Sequence, residues 1–225
     1  MNQLLEYYRS SIGKKQIVAV TGLALIIFVI AHLAGNLFIF WGPVAYNAYA
    51  KKLASLRPGL YVAEILLTIL FLIHIYTTYL LVLENQRARG EVGYRMKRSQ
   101  GNRSWSARLM AYSGTVVLAF VIWHLLDFTF ADHHGPRSVL ADGQSYGLYG
   151  VVYNSFSDPL HAVLYIIAMM AVGLHLNHGV ESFLQTFGFN NIYYIPLVKK
   201  LSHVFSFLIT AAYSAIPIYV LLKNH

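Results

Sequence analysis

The sequence predicts an all-α integral membrane fold, five transmembrane helices forming one bundle across residues 1–225. Three observations predict it. With 57% hydrophobic residues, 12% charged residues and a mean hydropathy of +0.52, the chain has too little polar surface to coat a soluble globule. It also holds five apolar stretches, each of about the 20 residues that a membrane helix needs. Finally, no stretch sustains the two-residue alternation of a barrel strand.

The five spans read as Ile17 to Phe40, Leu60 to Leu83, Leu109 to Phe130, Leu160 to Phe183 and Leu201 to Leu222. As a helix, each is long enough to cross a hydrocarbon core of roughly 30 Å, with every backbone group paired within the segment. The first follows a short basic amino terminus. Its apolar run exceeds a signal-peptide core and carries His32 and Asn36 late in its length, so it reads as a retained helix. Arg57-Pro58-Gly59 punctuates the entry to the second span, and Ser157-Asp158-Pro159 sets a capping side chain and a first-turn proline before the fourth. Pro217 lies inside the fifth, where a membrane helix tolerates a kink. The connection from Asp132 to Ser157 has room for a short helix that helps form a pocket. Neither an internal sequence repeat nor the paired broken helices of secondary transporters are evident.

The net charge of +8 comes from 17 Lys and Arg against 9 Asp and Glu. Nucleic acid is excluded as a partner, because the distribution follows topology. Arg9, Lys14, Lys15, Arg87, Arg89, Arg95, Lys97, Arg98, Arg103, Arg108, Lys199 and Lys200 fall on one side of the alternating spans. Only Lys51, Lys52, Arg57, Arg137 and Lys223 fall on the other. The positive-inside rule puts the amino terminus and the long second loop in the cytoplasm and the carboxyl terminus outside. Cysteine is absent, which removes disulfides, thiolate metal sites, iron–sulfur ligation and covalent haem attachment. A cofactor must be held by His, carboxylate or backbone.

Ten histidines are present, and spans one to four each carry a single histidine well inside: His32, His74, His124 and His175. A polar ring in hydrocarbon is costly and faces the bundle interior. Spans one and three run outward, placing His32 and His124 roughly 6 to 8 residues before their outer ends; spans two and four run inward, placing His74 and His175 roughly 8 to 9 residues before their inner ends. Two levels result. Opposed imidazoles from two helices are the arrangement for bis-histidine ligation of a b-type haem, so two haems are expected: His32 and His124 for the outer, His74 and His175 for the inner. A lone membrane histidine is more often a packing residue than a ligand; four at matched depths reverse that preference. Gly22 and Gly114, each ten positions before an outer-level histidine, would allow close approach of a porphyrin or a helix.

The remaining histidines read differently. His178, three residues after His175, shares its helix face and suits a propionate, a quinone oxygen or water. His161, His203, His133, His134 and His225 lie at span ends, in loops or in the tail, where solvated or interfacial roles are expected.

The ordered pieces Ser10-Ser11-Ile12-Gly13-Lys14-Lys15, Thr21-Gly22-Leu23, His32-Leu33-Ala34-Gly35-Asn36-Leu37, Tyr46-Asn47-Ala48-Tyr49, Trp123-His124-Leu125-Leu126-Asp127-Phe128 and His175-Leu176-Asn177-His178-Gly179 span essentially the whole chain. Together they resemble the di-haem cytochrome b558 membrane anchors of succinate dehydrogenase and fumarate reductase. The resemblance implies that His32, His74, His124 and His175 are the haem-iron ligands, with the pairing given by depth. It implies a flavoprotein subunit that interconverts succinate and fumarate, an iron–sulfur subunit that passes electrons, and an anchor in the bacterial cytoplasmic membrane that exchanges them with quinone, menaquinone by resemblance. Succinate chemistry would belong to another chain, since this one has neither a dinucleotide fold nor cluster cysteines. Some members carry a glutamate just before the fourth-helix ligand; here the stretch is Ala171-Val172-Gly173-Leu174-His175, with no carboxylate.

Quinone reduction takes two protons, so its site needs apolar walls and a protonatable group. Glu64 near the outer end of span two and Asp127, three residues after His124, are intramembrane carboxylates that qualify; capping or hydrating helix ends is the equal alternative for each. Lys14, Lys15, Tyr79 and Arg108 inside, and Trp41 and Tyr46 outside, are candidate propionate partners. Two other functions fit the residues less well. One is a cytochrome b anchor for a hydrogenase or formate dehydrogenase, and the other a haem-free proton-coupled transporter using the same histidines.

Overall fold

A computed structural model describes residues 3–89 and 109–224. Arg95, Lys97, Arg98, Arg103, Arg108 and His225 therefore lie outside the described residues. The expected fold is the observed one: five helices are long and apolar enough to span a membrane, covering Ser11–Trp41, Gly59–Ala88, Met110–Thr129, Pro159–Thr186 and Tyr194–Lys223. Among the described residues, pairing outside helices is limited to an isolated bridge between Val139 and Ser145.

A short helix α1 (Gln3–Arg9) leads into α2 (Ser11–Asn36), whose start is fixed by the Ser10 side chain accepting from the Gly13 N–H at 3.0 Å. A 3₁₀ segment (Leu37–Trp41) and Gly42, at φ 88°, turn the chain into α3 (Pro43–Ala54). The second span is α4 (Gly59–Arg89) and the third is α5 (Met110–His124). The third continues for one wide π turn through Leu125–Thr129. Then α6 (Gly147–Ser157) fills the outer connection where the sequence left room for a helix. The fourth span is α7 (Pro159–Thr186), capped as expected: the Asp158 carboxylate accepts from the Leu160 N–H at 3.0 Å, and Pro159 occupies the first turn. The last is α8 (Tyr194–Lys223), which runs through Pro217.

The tightest helix pair is α7 with α8, followed by α2 with α4, α5 with α7 and α2 with α7. Gly173 explains part of the first: a Cβ there would lie 2.1 Å from Thr210 Oγ1, so only a glycine lets the backbones approach this closely. The helices that carry paired histidines, α2 with α5 and α4 with α7, are not packed along one another. The histidines of each such pair approach one another between these helices.

The best-buried core lies at the outer end, taken as the end opposite the amino terminus. Ile39, Tyr46, Tyr149, Val152, Phe156, Ala162, Tyr165, Ile216 and Val220 form one buried cluster there, while a smaller one of Leu33, Leu176 and Ile209 sits in the bundle's middle. Asn47 ties the outer cover together, donating to the Tyr146 carbonyl (2.7 Å) and accepting from the Tyr149 N–H (3.2 Å). Asn36 bonds back to the His32 carbonyl at 2.8 Å and accepts from the Tyr46 hydroxyl at 3.2 Å. The His32–Asn36 and Tyr46–Asn47 pieces thus join the end of α2 to α3 and α6.

Candidate haem-binding tiers

The outer pair meets directly. The His32 and His124 rings lie edge to face with centroids 5.6 Å apart at 89°. Their walls are aromatic. Phe28 stacks on His32 at 5.4 Å, and Phe120, Phe128 and Tyr165 surround His124 at 5.6, 5.4 and 6.3 Å. His124 Nδ1 is buried with no hydrogen-bond partner. Tyr213 of α8 stands 6.3 Å from His32 and spends its hydroxyl on the Val29 carbonyl at 2.8 Å.

The inner pair is held by hydroxyls. Thr21 Oγ1 lies 3.0 Å from His74 Nδ1, and the same hydroxyl donates its one proton to the Ile17 carbonyl at 2.7 Å. With that proton spent, Thr21 must accept from His74, so His74 carries its proton on Nδ1 and keeps a lone pair on Nε2. Ser113 repeats the arrangement: it donates to the Met110 carbonyl at 3.1 Å and lies 3.3 Å from His175 Nδ1. Gly22 and Gly114 are the platforms. A Cβ on either would come within 3.3 Å of the facing imidazole Cε1, of His74 and His175 respectively. His175 also has both His74 and His178 as electrostatic neighbours.

These contacts fix two levels from the structure itself. His74 lies beside Gly22 and His175 beside Gly114. His32 and His124 each come ten residues later on the same two helices, or about 15 Å further along at 1.5 Å per residue. The structure also exposes a correspondence that sequence reading missed. Thr21-Gly22 followed by His32 on α2, and Ser113-Gly114 followed by His124 on α5, are the same hydroxyl–glycine–histidine spacing used twice. That spacing was the signal that could have identified Thr21 and Ser113.

The two carboxylates expected near the outer pair separate. Glu64 is exposed on α4, with Oε1 3.6 Å from Arg57 Nη2, and makes no ion pair with the outer histidines' neighbours among the described residues. Asp127 lies on the π turn with its side chain 9% exposed. Its Oδ1 accepts from Arg137 Nη2 at 2.8 Å, and its Oδ2 accepts from the Tyr165 hydroxyl at 2.8 Å and lies 2.8 Å from His161 Nε2. His161, expected in a solvated or interfacial role, is half-buried at the outer end of α7. It stacks on Tyr165 at 4.9 Å and 17°, and packs on Trp123 at 5.1 Å and Phe156 at 5.9 Å. The reason is α6 and the outer loop, which fold over the end of α7 and cover what depth along a span left exposed.

The other candidates are spread out. Lys14 is engaged by Glu84 across α2 and α4, Trp41 and Tyr79 are exposed, and Tyr46 is buried with its hydroxyl on Asn36. Lys15 is exposed on α2. His178 lies on α7 beside His175. His133 Nε2 meets the Phe128 carbonyl at 2.8 Å, the His134 N–H donates to Asp132 at 2.9 Å, and His203 Nδ1 meets the Lys199 carbonyl at 2.5 Å.

Five apolar helices around two tiers of facing histidines define an integral membrane protein of the histidine-paired bundle class. The chain is similar to the succinate dehydrogenase cytochrome b558 subunit of Bacillus subtilis (strain 168), 28% identical over 190 residues that make up 84% of this chain and 84% of that protein. That similarity supports the resemblance to succinate dehydrogenase cytochrome b subunits carried by its ordered sequence pieces. No family model matches the chain. No solved structure matches it either.

Proposed function

We propose that the chain is the membrane-anchor cytochrome b subunit of a succinate:quinone oxidoreductase, binding two b-type haems and carrying electrons between an iron–sulfur subunit on the cytoplasmic side and membrane quinone. The observation that carries this is the meeting of histidines from two helices at each of two levels, His32 with His124 and His74 with His175. Paired imidazoles suit the iron of a haem, whereas a chelated ion calls for a compact cluster of donors, and among the described residues no group of three or more His, Cys, Asp or Glu forms one. Haem held by these histidines would supply reversible one-electron transfer.

The residues do the rest. His74 and His175 would keep Nε2 for the iron because Thr21 and Ser113 hold Nδ1. His32 and His124 meet edge to face, oriented by aromatic packing. The apolar bundle excludes water from both. The flavoprotein partner, the cytoplasmic orientation of the amino terminus and menaquinone as the quinone are parts of the same proposal, supported by the charge asymmetry and by the relative's name.

A pyridine haemochrome assay with a redox titration of the detergent-purified protein tests it. Two b haems per chain are expected, with His74→Ala and His124→Ala each removing a different potential component. A colourless protein overturns the proposal and favours the transporter. Co-purification of a covalent-flavin polypeptide, rather than a hydrogenase or molybdenum subunit, identifies the partner enzyme.

A further inference from the structure

Asp127 and His161 form the one carboxylate–imidazole pair among the described residues, and they sit beside the outer histidines rather than in a loop. The Asp127 side chain is 9% exposed and that of His161 18%, yet Arg137, which closes the cluster on its outer side, is 45% exposed. A largely enclosed carboxylate–imidazole pair at one end and an open cation at the other give the cluster one side that faces the outer surface. Tyr165 bridges inward: its hydroxyl donates to Asp127 Oδ2, its ring stacks on His161, and its other edge reaches His124. His161 is therefore two ring contacts from His124.

The charges around Asp127 can be enumerated. Arg137 faces it from the outer loop and also donates to Ser155 of α6 at 2.5 Å; Tyr165 and His161 face it from α7; His124 lies one turn back on its own segment, and His133 bonds the neighbouring Phe128 carbonyl. Among the described residues, α8 sends no charged group within ion-pair distance of it. With His161 neutral, the Asp127 and Arg137 charges cancel. One further proton makes the cluster cationic. An electron placed at the outer histidine pair adds a negative charge in a low-dielectric setting, where a compensating positive charge nearby is worth far more than in water.

We infer that His161, held by Asp127, is the proton-exchanging group of the outer tier: it takes one proton from the outer water when an electron is held at the His32–His124 pair, and returns it when the electron leaves. This rests on reading that pair as haem ligands. The electron comes from a reduced quinone, or in the experiment from a chemical mediator. The proton bonds to the free ring nitrogen of the neutral His161 imidazole, giving an imidazolium whose Nε2 lies 2.8 Å from Asp127 Oδ2; no other bond forms or breaks. Asp127 is the positioning residue. Glu64, exposed and paired with Arg57, has no part in it.

Redox titrations of the purified di-haem protein between about pH 6 and pH 8.5, around the ordinary titration range of histidine, test the inference. One of the two components should shift with pH toward about 59 mV per unit, a tenfold change in electron affinity for each tenfold change in proton concentration. His161→Gln and Asp127→Asn should flatten that slope and leave the other component unmoved. A slope that survives both substitutions, or two pH-independent potentials in the wild type, overturns the inference while leaving the di-haem reading intact; absence of haem defeats the reading itself. If both variants fail to assemble, the reduced-minus-oxidised infrared difference spectrum of wild-type protein, ring-labelled at histidine, decides. An imidazolium band gained on reduction supports the assignment, and its absence removes it.

Discussion

The inner and outer tiers use the same side chain and hold it by different means. At the inner tier a hydroxyl on the neighbouring helix fixes each imidazole's proton, and a glycine beside that hydroxyl makes room for the ring. At the outer tier no hydroxyl reaches Nδ1 of His124; phenyl and phenol rings fix the imidazole planes, and the polar chemistry is displaced to Asp127 and His161. Hydrogen bonding fixes a tautomer and raises ligand basicity, whereas aromatic packing fixes orientation alone. One helix bundle therefore gives its two histidine pairs different electronic surroundings.

The sharpest way to break the comparison is at the glycines. Gly22→Leu and Gly114→Leu put a branched side chain where a Cβ alone would already meet an imidazole at 3.3 Å. We expect each to abolish the inner haem and halve the haem per chain in the haemochrome assay, with the outer component still present. Equal loss of both components would mean that the tiers are not independent.

Removing the hydroxyls is gentler. Thr21→Val keeps the shape and deletes the acceptor for His74, and loss of such a partner lowers metal affinity by about 10–100-fold. Ser113→Ala should cost less, because its contact is longer, 3.3 Å against 3.0 Å. Haem transfer to a competing apoprotein, timed for each variant, ranks them. Loss from the outer component instead would reverse the assignment of the tiers.

How much of this the sequence held depends on the range of the interaction. Span positions were legible because membrane thickness and helix rise are fixed lengths, and the depths of His32, His74, His124 and His175 followed by counting. The caps at Asp158 and Pro159 were legible because they act within three residues. Thr21 and Ser113 were not, since a hydroxyl in a membrane helix ordinarily bonds its own preceding turn, and only the packed neighbour shows the second contact. The aromatic and carboxylate partners of His161 were not legible for a related reason: depth along one span says nothing about α6 and a loop folding back over its end. The π turn at Leu125–Thr129, which carries Asp127, leaves no pattern in five residues.

The outer cover should be the costlier part to loosen in stability, although the inner tier dominates in ligand affinity. Asn47→Ala removes two hydrogen bonds that join α3 to α6 and leaves the Tyr146 carbonyl and Tyr149 N–H without them. Groups so deprived cost about 1–3 kcal/mol. The expected result is a lower unfolding temperature with both potentials retained. A shift in the inner potential would show that the cover communicates through the bundle.

The smallest expected effect lies furthest from both tiers, in the outer turn, and it separates the pH response of the loop from that of His161. Asp142 accepts from the Tyr146 hydroxyl at 2.6 Å and from the Gln144 N–H at 3.0 Å, and these bonds hold its carboxyl below the ordinary value; the same contact holds the Tyr146 phenol above its own. A carboxyl depressed in the folded state lends stability above its unfolded pKa of about 3.9 and loses it as pH falls through the folded value. A phenol that is raised lends stability below its unfolded pKa of about 10 and loses it as pH rises through the folded value. The turn should thus be tightest between these limits and loosen at both, with amide protection at Leu140 and Gly143 as the measure. Tyr146→Phe should remove most of the acid-side dependence while the redox slope assigned to His161 is unchanged. A change in that slope would mean that the outer loop, rather than the Asp127–His161 pair, sets the proton response of the outer tier.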